Sequence, residues 1–495
     1  MKLLNCSTLR IEEIWEDDED EVTFEDISSA ETRSKKVLGW SKIEGTCAKA
    51  LEIGIGYAWI DTCCIDKRNL TELTEAINSM FRWYSEAKIC FAYLSDIKSD
   101  DDMTKSAWFS RGWTLQELIA PREIKFYDRQ WRLIGSRIEL WREINLRTMI
   151  DDEVLKHDPL TQQSIQSLLA SIPVGRRLSW AAGREAKRME DRAYSLLGIF
   201  GISMSLLYGE GDRAFIRLQE AIITETNDMS LFAWTDSSVT SPDRSAGFCG
   251  ILTNNPDHFG SCRHLISVSN AKCGPEFSMT NKGLRLESRL FTYNKFGEDT
   301  YFLSLGIPRT AKTKSEPLGI LLRKLNGGIF VRMRPDELYL RQYEFDSRPL
   351  DKRILFIAKR FTVDLMEEIV RIPGRDFRFS FDTEEPKLIV RIISKGPSRD
   401  YWDPDTYRFV SRRLKEFEGS VEVETATGKK FILICGFDTH NGTWVYLDED
   451  LRDNVPLFYD YKVADETLNG IPVTSIHFFS TRMRSDFYES LELIA

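Results

Sequence analysis

A strand–helix–strand pattern between Tyr57 and Asp96 constrains the fold of this chain most strongly. The apolar run YAWID predicts a buried strand that ends near Asp61. NLTELTEAINSMFRWYSEA follows, with apolar residues at helical spacing and Asn69 placed to cap the helix. KICFAYLSD predicts a second strand, which ends near Asp96. Elements of these lengths form a βαβ unit, so we expect parallel strands joined by a right-handed crossover.

The segment after this unit adds a short helix and a third strand. WFSRGWTLQELIAP predicts a helix that stops at Pro121, and REIKFYD predicts a strand that ends near Asp128. Ligands of open α/β sheets bind at the carboxyl ends of the strands. We therefore expect Asp61, Asp96 and Asp128 to face one crevice, together with the start of the helix. The alternative for each is structural, because aspartate is common where a strand passes into a loop.

The pattern of apolar residues in the rest of the chain changes near Trp234. Residues 137–230 carry apolar stripes at helical spacing, which predict helices packed on the sheet. Short β-branched and alternating runs follow, and these predict an all-β region. We predict three parts: an α/β core in residues 1–140, a helical part in 141–234, and a β-rich domain in 235–495.

Charge and cysteine usage exclude several classes of protein. A net charge of −10 argues against a nucleic-acid partner, because phosphate binding needs a basic face. The 9 cysteines form no C-x-x-C pair, and only 5 histidines are present, so we expect no metal and a reducing compartment. The run Ala193–Tyr208 is short for a membrane span, and the N-terminus lacks a signal-peptide core. A cytoplasmic protein without a membrane span or a bound cofactor is expected.

Several long motifs, in order, resemble one known family. YAWIDTCCID, MFRWYSEAKICFAYLSD, SRGWTLQELIAP and MEDRAYSLLGIF followed by LLYGEGDRAFIRLQEAII closely resemble the fungal heterokaryon-incompatibility (HET) domain, of the kind that vegetative-incompatibility proteins carry. The resemblance covers about residues 1–235. It implies self/non-self discrimination after hyphal fusion, with cell death when partners mismatch. It also implies self-association or another incompatibility protein as the partner.

HET domains are in turn similar to TIR domains, which are flavodoxin-like. The resemblance therefore implies a TIR/flavodoxin-like parallel sheet with added helices, followed by the all-β domain. One departure matters: the strand with a Y-A-I-L-S-H-T-W-G-like sequence is missing, and the acidic stretch IEEIWEDDEDEVTFEDI runs through its place. The first strand is central in a flavodoxin-like sheet, so its loss predicts unpaired edges, or a degenerate inactive copy.

The resemblance to TIR domains also implies an activity and a site. Many TIR domains cleave NAD at the nicotinamide–ribose bond with a glutamate in a W-x-x-x-E pattern just before a strand. Trp113 and Glu117 match this pattern. The resemblance implies that Glu117 is catalytic and that NAD is a substrate. Together with the strand-end acids and the arginine near the helix start, this leads us to expect that Trp113, Arg111, Asp61 and Asp96 bind the substrate.

The chemistry of NAD suits these residue types. An aromatic face and a carboxylate attract the cationic nicotinamide ring, and a carboxylate stabilises the oxocarbenium character that develops on ribose. The guanidinium of Arg111 matches the geometry of pyrophosphate. Structural alternatives exist: Trp113 as a buried helix anchor, and Glu117 as a solvated acid or as an ion-pair partner of Arg111 or Arg122.

Two other function classes stay open. One is a non-enzymatic signalling module, in which the α/β domain assembles with like domains through an exposed sheet edge. The other is a metal-dependent hydrolase built on the three strand-end aspartates, since hard cations bind carboxylate oxygens. The hydrolase is the weaker alternative, because the expected histidines and a D-x-D cluster are absent from the sequence.

Overall fold

The computed structural model describes residues 4–5, 22–24, 26–28, 36–98, 101–157, 163–238, 247–266, 274–292, 300–308, 317–325, 328–340 and 352–362, and the strand segments between 376 and 480. Most of the acidic stretch lies outside them. Two compact units divide the chain. The first comprises Met1–Thr235, Leu252–Gly274 and Ile307–Ser315, and the second comprises Asp236–Ile251, Pro275–Gly306 and Glu316–Ala495.

Helices make up most of the first unit. Its α-helices are α1 (Val37–Glu52), α2 (Asp61–Cys64), α3 (Leu70–Glu86), α4 (Thr114–Ile119), α5 (Trp141–Thr148), α6 (Asp152–Leu155), α7 (Ile165–Ala170), α8 (Val174–Ser179), α9 (Asp191–Tyr194), α10 (Leu197–Phe200) and α11 (Arg213–Glu225). Short 3-10 helices lie at Asp26–Ser28, Met103–Lys105, Ala107–Ser110, Met229–Phe232 and Pro256–His264. None of the helices in the described ranges has both the length and the low charge of a membrane span.

Helix α3 forms where its cap and its apolar stripe predicted it. The Asn69 side chain accepts hydrogen bonds from the N–H groups of Thr71 and Glu72, both at 3.2 Å, which satisfies two donors of the first turn. Ile77 and Phe81 are buried on the inner face. The helix is thereby fixed along its length, and Tyr84 in its last turn is placed beside the sheet.

Among the described residues, three strands form the larger sheet of the first unit, in the order β3 (Cys90–Tyr93), β4 (Ile124–Tyr127) and β5 (Leu133–Ser136). Strands β3 and β4 are parallel, and β5 is antiparallel to β4. The connection between β3 and β4 contains α4, so the second and third predicted strands do lie side by side in parallel.

The first predicted strand, by contrast, is cut short. Only Tyr57–Ala58 is extended, as β2, and it pairs antiparallel with Leu4–Asn5, β1, rather than with β3. The expected βαβ unit is therefore wrong in its first strand. Ile60, Cys63 and Cys64 stand three and four residues apart, so a helix buries all three.

Helix α1 packs over this region, and the sequence analysis did not predict it. Trp40, Ile43 and Cys47 of α1 form one buried cluster with Cys63 and the residues around it. A mixed α/β unit with a small sheet is thus confirmed. Within the described residues β3 is an outer strand of this sheet. The specific TIR/flavodoxin-like arrangement stays an expectation.

Strands dominate the second unit, as predicted for the region after Trp234. In the part of this unit that the structure describes, they form sheets of 9, 5 and 4 strands. The strands are β6 (Phe248–Cys249), β7 (Phe277–Thr280), β8 (Gly283–Ser288), β9 (Leu290–Thr292), β10 (Thr300–Pro308), β11 (Pro317–Lys324), β12 (Ile329–Met333), β13 (Tyr339–Leu340), β14 (Arg353–Ile357), β15 (Asp376–Phe381), β16 (Ile389–Lys395), β17 (Trp402–Asp403), β18 (Arg408–Phe409), β19 (Phe417–Thr425), β20 (Lys430–Asp438), β21 (Gly442–Leu447), β22 (Tyr459–Leu468) and β23 (Ile471–Ser480).

Candidate functional site

Helix α4 and the turn before it carry the residues around which the candidate site is built. The 3-10 helix Ala107–Ser110 leads into α4, which ends before Pro121. The Thr114 hydroxyl donates to the carbonyl oxygens of Trp108 and Arg111, at 2.6 and 2.9 Å. These bonds fold the two helices against each other and hold Trp108 next to Glu117.

Glu117 is half-buried and held by two donors. Its carboxylate accepts hydrogen bonds from the indole N–H of Trp108 and from the hydroxyl of Tyr84. Burial and the charge of Asp61 raise the pKa of Glu117 to about 7, against the lowering effects of Lys42, Arg111 and Trp108. Glu117 is therefore neither a freely solvated acid nor the simple ion-pair partner that the structural alternative predicted.

Asp61 is the second carboxylate of the site. Burial raises its pKa, but the charges of Lys42, Lys67 and Arg111 outweigh that effect, so the pKa of Asp61 lies below its usual value. The Lys42 ammonium is 3.9 Å from the Asp61 carboxylate. The site thus holds one ionised carboxylate beside one that is close to half protonated at neutral pH. A pair whose pKa values are pushed apart is the arrangement that acid–base and carbocation chemistry uses.

Aromatic side chains pack on these groups. The Trp59 ring packs edge-on against Tyr84, with ring centroids 5.5 Å apart. Burial, and next the charge of Glu117, raise the pKa of Tyr84 well above its usual value, so its hydroxyl keeps its proton and donates. The ring of Trp108, 9% exposed, packs edge-on against Phe109 and Phe126.

Trp113 makes its side-chain hydrogen bond away from Glu117. Its indole N–H donates to the carboxylate of Asp191, which also accepts from the Tyr208 hydroxyl at 3.0 Å. The aromatic residue on Glu117 is Trp108, which lies outside α4. Helical spacing pairs residues within one helix, so it had no means of indicating Trp108.

Asp96 and Asp128 do not join Asp61, so the predicted convergence of three strand-end aspartates is wrong. Asp96 accepts from the Ser106 hydroxyl at 2.6 Å and from the Ala107 N–H at 2.8 Å, and so caps a 3-10 helix. Asp128 is buried and accepts from Arg132 in a tight turn. Both follow the structural alternative for aspartate at the end of a strand. In the part of the chain that the structure describes, no cluster of three or more His, Cys, Asp or Glu is placed to hold a metal.

Residues from the helical part of the unit contact the segment just before α4. Residues Arg111 and Glu185 form a parallel bridge, in which the Gly112 N–H donates to the Glu185 carbonyl at 2.7 Å. The buried guanidinium of Arg184 donates to the Arg111 carbonyl at 2.8 Å. Burial lowers the pKa of Arg184 to about 9, and the charge of Glu117 acts against this. Arg184 thus places a buried positive charge near Glu117.

The loop before α11 is tied to the same segment. The buried carboxylate of Glu190 accepts from the N–H groups of Gly209 and Gly211, at 2.7 and 3.0 Å. Both glycines have positive φ, 100° and 60°, which a residue with a Cβ rarely adopts. These hydrogen bonds join the EDRAY motif to the YGEGD motif and form a corner next to the Asp191–Trp113 contact.

Comparison with known proteins finds a family of domains that part of this unit matches. Residues 14–104 match the family model for Heterokaryon incompatibility protein (HET), and residues 213–283 match a domain of unknown function (DUF8212). Vegetative incompatibility protein HET-E-1 of Podospora anserina is 43% identical over 220 residues, 42% of this chain and 15% of that relative. This chain matches only a small part of that relative's length. No solved structure matches.

Residues 14–104 of this unit therefore match the heterokaryon-incompatibility (HET) domain, as the motifs predicted, and 220 residues of the chain are similar to a vegetative-incompatibility protein. Asp61 and Tyr84 lie inside the family match, whereas Arg111 and Glu117 lie beyond its end.

Proposed function

We propose that this chain acts in heterokaryon incompatibility, and that its HET domain promotes cell death by cleaving NAD at the nicotinamide–ribose bond. The observation that carries the proposal is Glu117, held half-buried by Trp108 and Tyr84 beside an ionised Asp61. A carboxylate fixed by two donors does not reorient when charge develops, which is the condition for electrostatic stabilisation of a transition state.

In the proposed reaction the carboxylates stabilise ribose charge, and nicotinamide leaves as a neutral ring. The bond between ribose C1 and the nicotinamide nitrogen breaks, and its electron pair stays with the nitrogen. The ionised form of Glu117, with Asp61, stabilises the oxocarbenium ion, and water then adds to C1 and loses a proton. The Tyr84 and Trp59 rings line the side from which the aromatic nicotinamide approaches.

Purified full-length protein, NAD and a time course of nicotinamide release test the proposal. Glu117→Gln keeps the size of the side chain and removes its charge, so we expect at least a hundredfold slower release. Glu143→Gln, an exposed acid on α5, is the matched control and should release nicotinamide as the wild type does. No release by concentrated or clustered wild-type protein, or equal rates for the two variants, would overturn the proposal.

A second candidate is a non-enzymatic assembly module. It is favoured by Leu51, Ile53 and Tyr57, which are 45, 42 and 59% exposed next to the short β1–β2 pair. Exposed apolar side chains beside a sheet edge suit association with another chain. Cell death on overexpression of Glu117→Gln, with cellular NAD unchanged, would favour this candidate. A chain that neither kills nor associates would be a degenerate copy.

A further inference from the structure

We propose that Lys42, Lys67 and Arg111 form the diphosphate-binding rim of the Glu117 site, so that its ligand is a nucleotide carrying linked phosphates. Of these, Arg111 alone is a residue that the sequence pointed to. The inference rests on the proposed function only in placing the ligand at Glu117. It adds two lysines from elements that no motif connects to the site.

The three cations come from three separate elements and converge on one carboxylate. Lys42 belongs to α1, Lys67 lies in the turn after α2, and Arg111 lies just before α4. Lys42 is 3.9 Å from Asp61, longer than a hydrogen bond. Lys67 and Arg111 also act on Asp61 through their charges. The three cations near this carboxylate therefore come from separate elements and do not lie on the face of one helix.

The charge balance of the cluster favours an anion. Three cations face one ionised carboxylate, and Glu117 is close to half protonated at neutral pH. Neither Lys67 nor Arg111 has an ion-pair partner among the residues that the structure describes, whereas the neighbouring Arg68 is paired with Asp66 at 3.6 Å. These positive charges suit a ligand group that carries negative charge, such as a diphosphate.

The surroundings of Arg111 hold its backbone while leaving its side chain exposed. Its carbonyl accepts from Arg184 and from Thr114, and Gly112 next to it is bonded to Glu185. A guanidinium on a fixed backbone presents two parallel N–H donors to phosphate oxygens, with little conformational entropy left to lose. The two lysines contribute point charges on flexible side chains.

The test measures ligand binding without turnover, in full-length Glu117→Gln protein. ADP-ribose and adenosine are titrated in parallel by calorimetry at two salt concentrations. We expect ADP-ribose to bind at least tenfold more tightly than adenosine, and to weaken with salt, because charge–charge contacts are screened. Added to that background, Lys42→Met, Lys67→Met and Arg111→Met should each weaken ADP-ribose binding about tenfold, while leaving adenosine binding unchanged.

Lys49→Met is the matched control, since Lys49 lies on the same helix as Lys42 and pairs with Glu52 at 2.9 Å. It should bind ADP-ribose like its parent. Arg111→Lys, which keeps the charge, should recover part of the loss, so an effect through misfolding is distinguished from an effect through charge.

Equal binding of ADP-ribose and adenosine, or normal ADP-ribose binding by the three methionine variants, would overturn the inference. Charge-dependent ADP-ribose binding by a protein whose wild type releases no nicotinamide would support it and overturn the proposed cleavage. The two failures are therefore distinguishable.

Discussion

The indole N–H of Trp108 and the carboxylate of Glu117 are hydrogen-bonded, although Trp108 lies in the 3-10 helix before α4. Donation to a carboxylate stabilises its ionised form and lowers its pKa. Trp113 donates to Asp191 instead, so the two tryptophans of one motif donate to different carboxylates.

Replacing each of these two tryptophans by phenylalanine in turn distinguishes their roles. Trp108→Phe removes the donor and should raise the pKa of Glu117 by about one unit, since one unit corresponds to about 1.4 kcal/mol of lost stabilisation. Nicotinamide release should then fall several-fold at pH 7 and recover at pH 9. Trp113→Phe, the control, should leave the pH profile in place and lower stability by about 1 kcal/mol. A shifted profile in Trp113→Phe alone would contradict this assignment.

Catalysis should depend on pH near neutrality. The proposed mechanism uses the ionised Glu117, whose pKa is raised to about 7 by burial and by Asp61. About a tenth of the protein is ionised at this position at pH 6, and about nine-tenths at pH 8. We expect kcat/KM for NAD to rise with pH through 7, as the loss of a single proton from Glu117 predicts. An activity that falls over this range would show that the protonated acid is the working form.

The Glu190 carboxylate should stabilise the folded unit in a pH-dependent way. Burial raises its pKa, but the N–H groups around it, including those of Gly211 and Gly209, together lower it below the usual value. A lowered folded pKa gives stability that is present above the unfolded pKa of about 4.5 and is lost as pH falls through the folded value. Glu190→Gln should cost about 1–2 kcal/mol at pH 7 and progressively less below pH 4.

Chemical denaturation at several pH values measures this difference. Glu185→Gln is the control, because Glu185 is exposed and contacts the α4 region through its backbone. A cost for Glu190→Gln that does not vary with pH would mean that packing, rather than charge, holds the Gly209–Gly211 corner.

Helix packing at Gly198 leaves no room for a side chain. A Cβ on Gly198 would overlap the Cβ of Phe81 in α3. Gly198→Ala should therefore cost about 2–3 kcal/mol, even though alanine is the better helix former. Nothing lies within 4 Å of a Cβ built on Gly56. Gly56→Ala should change the midpoint of thermal unfolding little, and equal effects of the two substitutions would contradict the packing argument.

Local signals in the sequence were sufficient to predict most of the helices and strands around the site. Asn69 predicted the start of α3, and Pro121 the end of α4, because capping and the missing proline N–H act over a few residues. The strand from Tyr57 was overextended for a related reason. Ile60, Cys63 and Cys64 fit a short buried run and a helix face equally well, and only packing against α1 decides between the two.

The site itself was predicted in part. Glu117, Asp61 and Arg111 interact through their charges, and the resemblance to the W-x-x-x-E pattern indicated the first of them. The sequence analysis missed Trp108, Tyr84 and Lys42, because contacts between distant segments produce no periodic pattern in the sequence. Trp113 was assigned from its match to the W-x-x-x-E pattern, and its hydrogen-bond partner, Asp191, lies far along the chain.

The bridge between Arg111 and Glu185 bears on how loss-of-function alleles should be distributed. The residues beneath α4 are encoded far downstream of Glu117, so a missense change at Arg184 or Asp191 would silence the site without touching a reacting group. Under the proposed function, mutant screens for escape from incompatibility should therefore yield two separate clusters along the gene, which lie close together only in the folded protein.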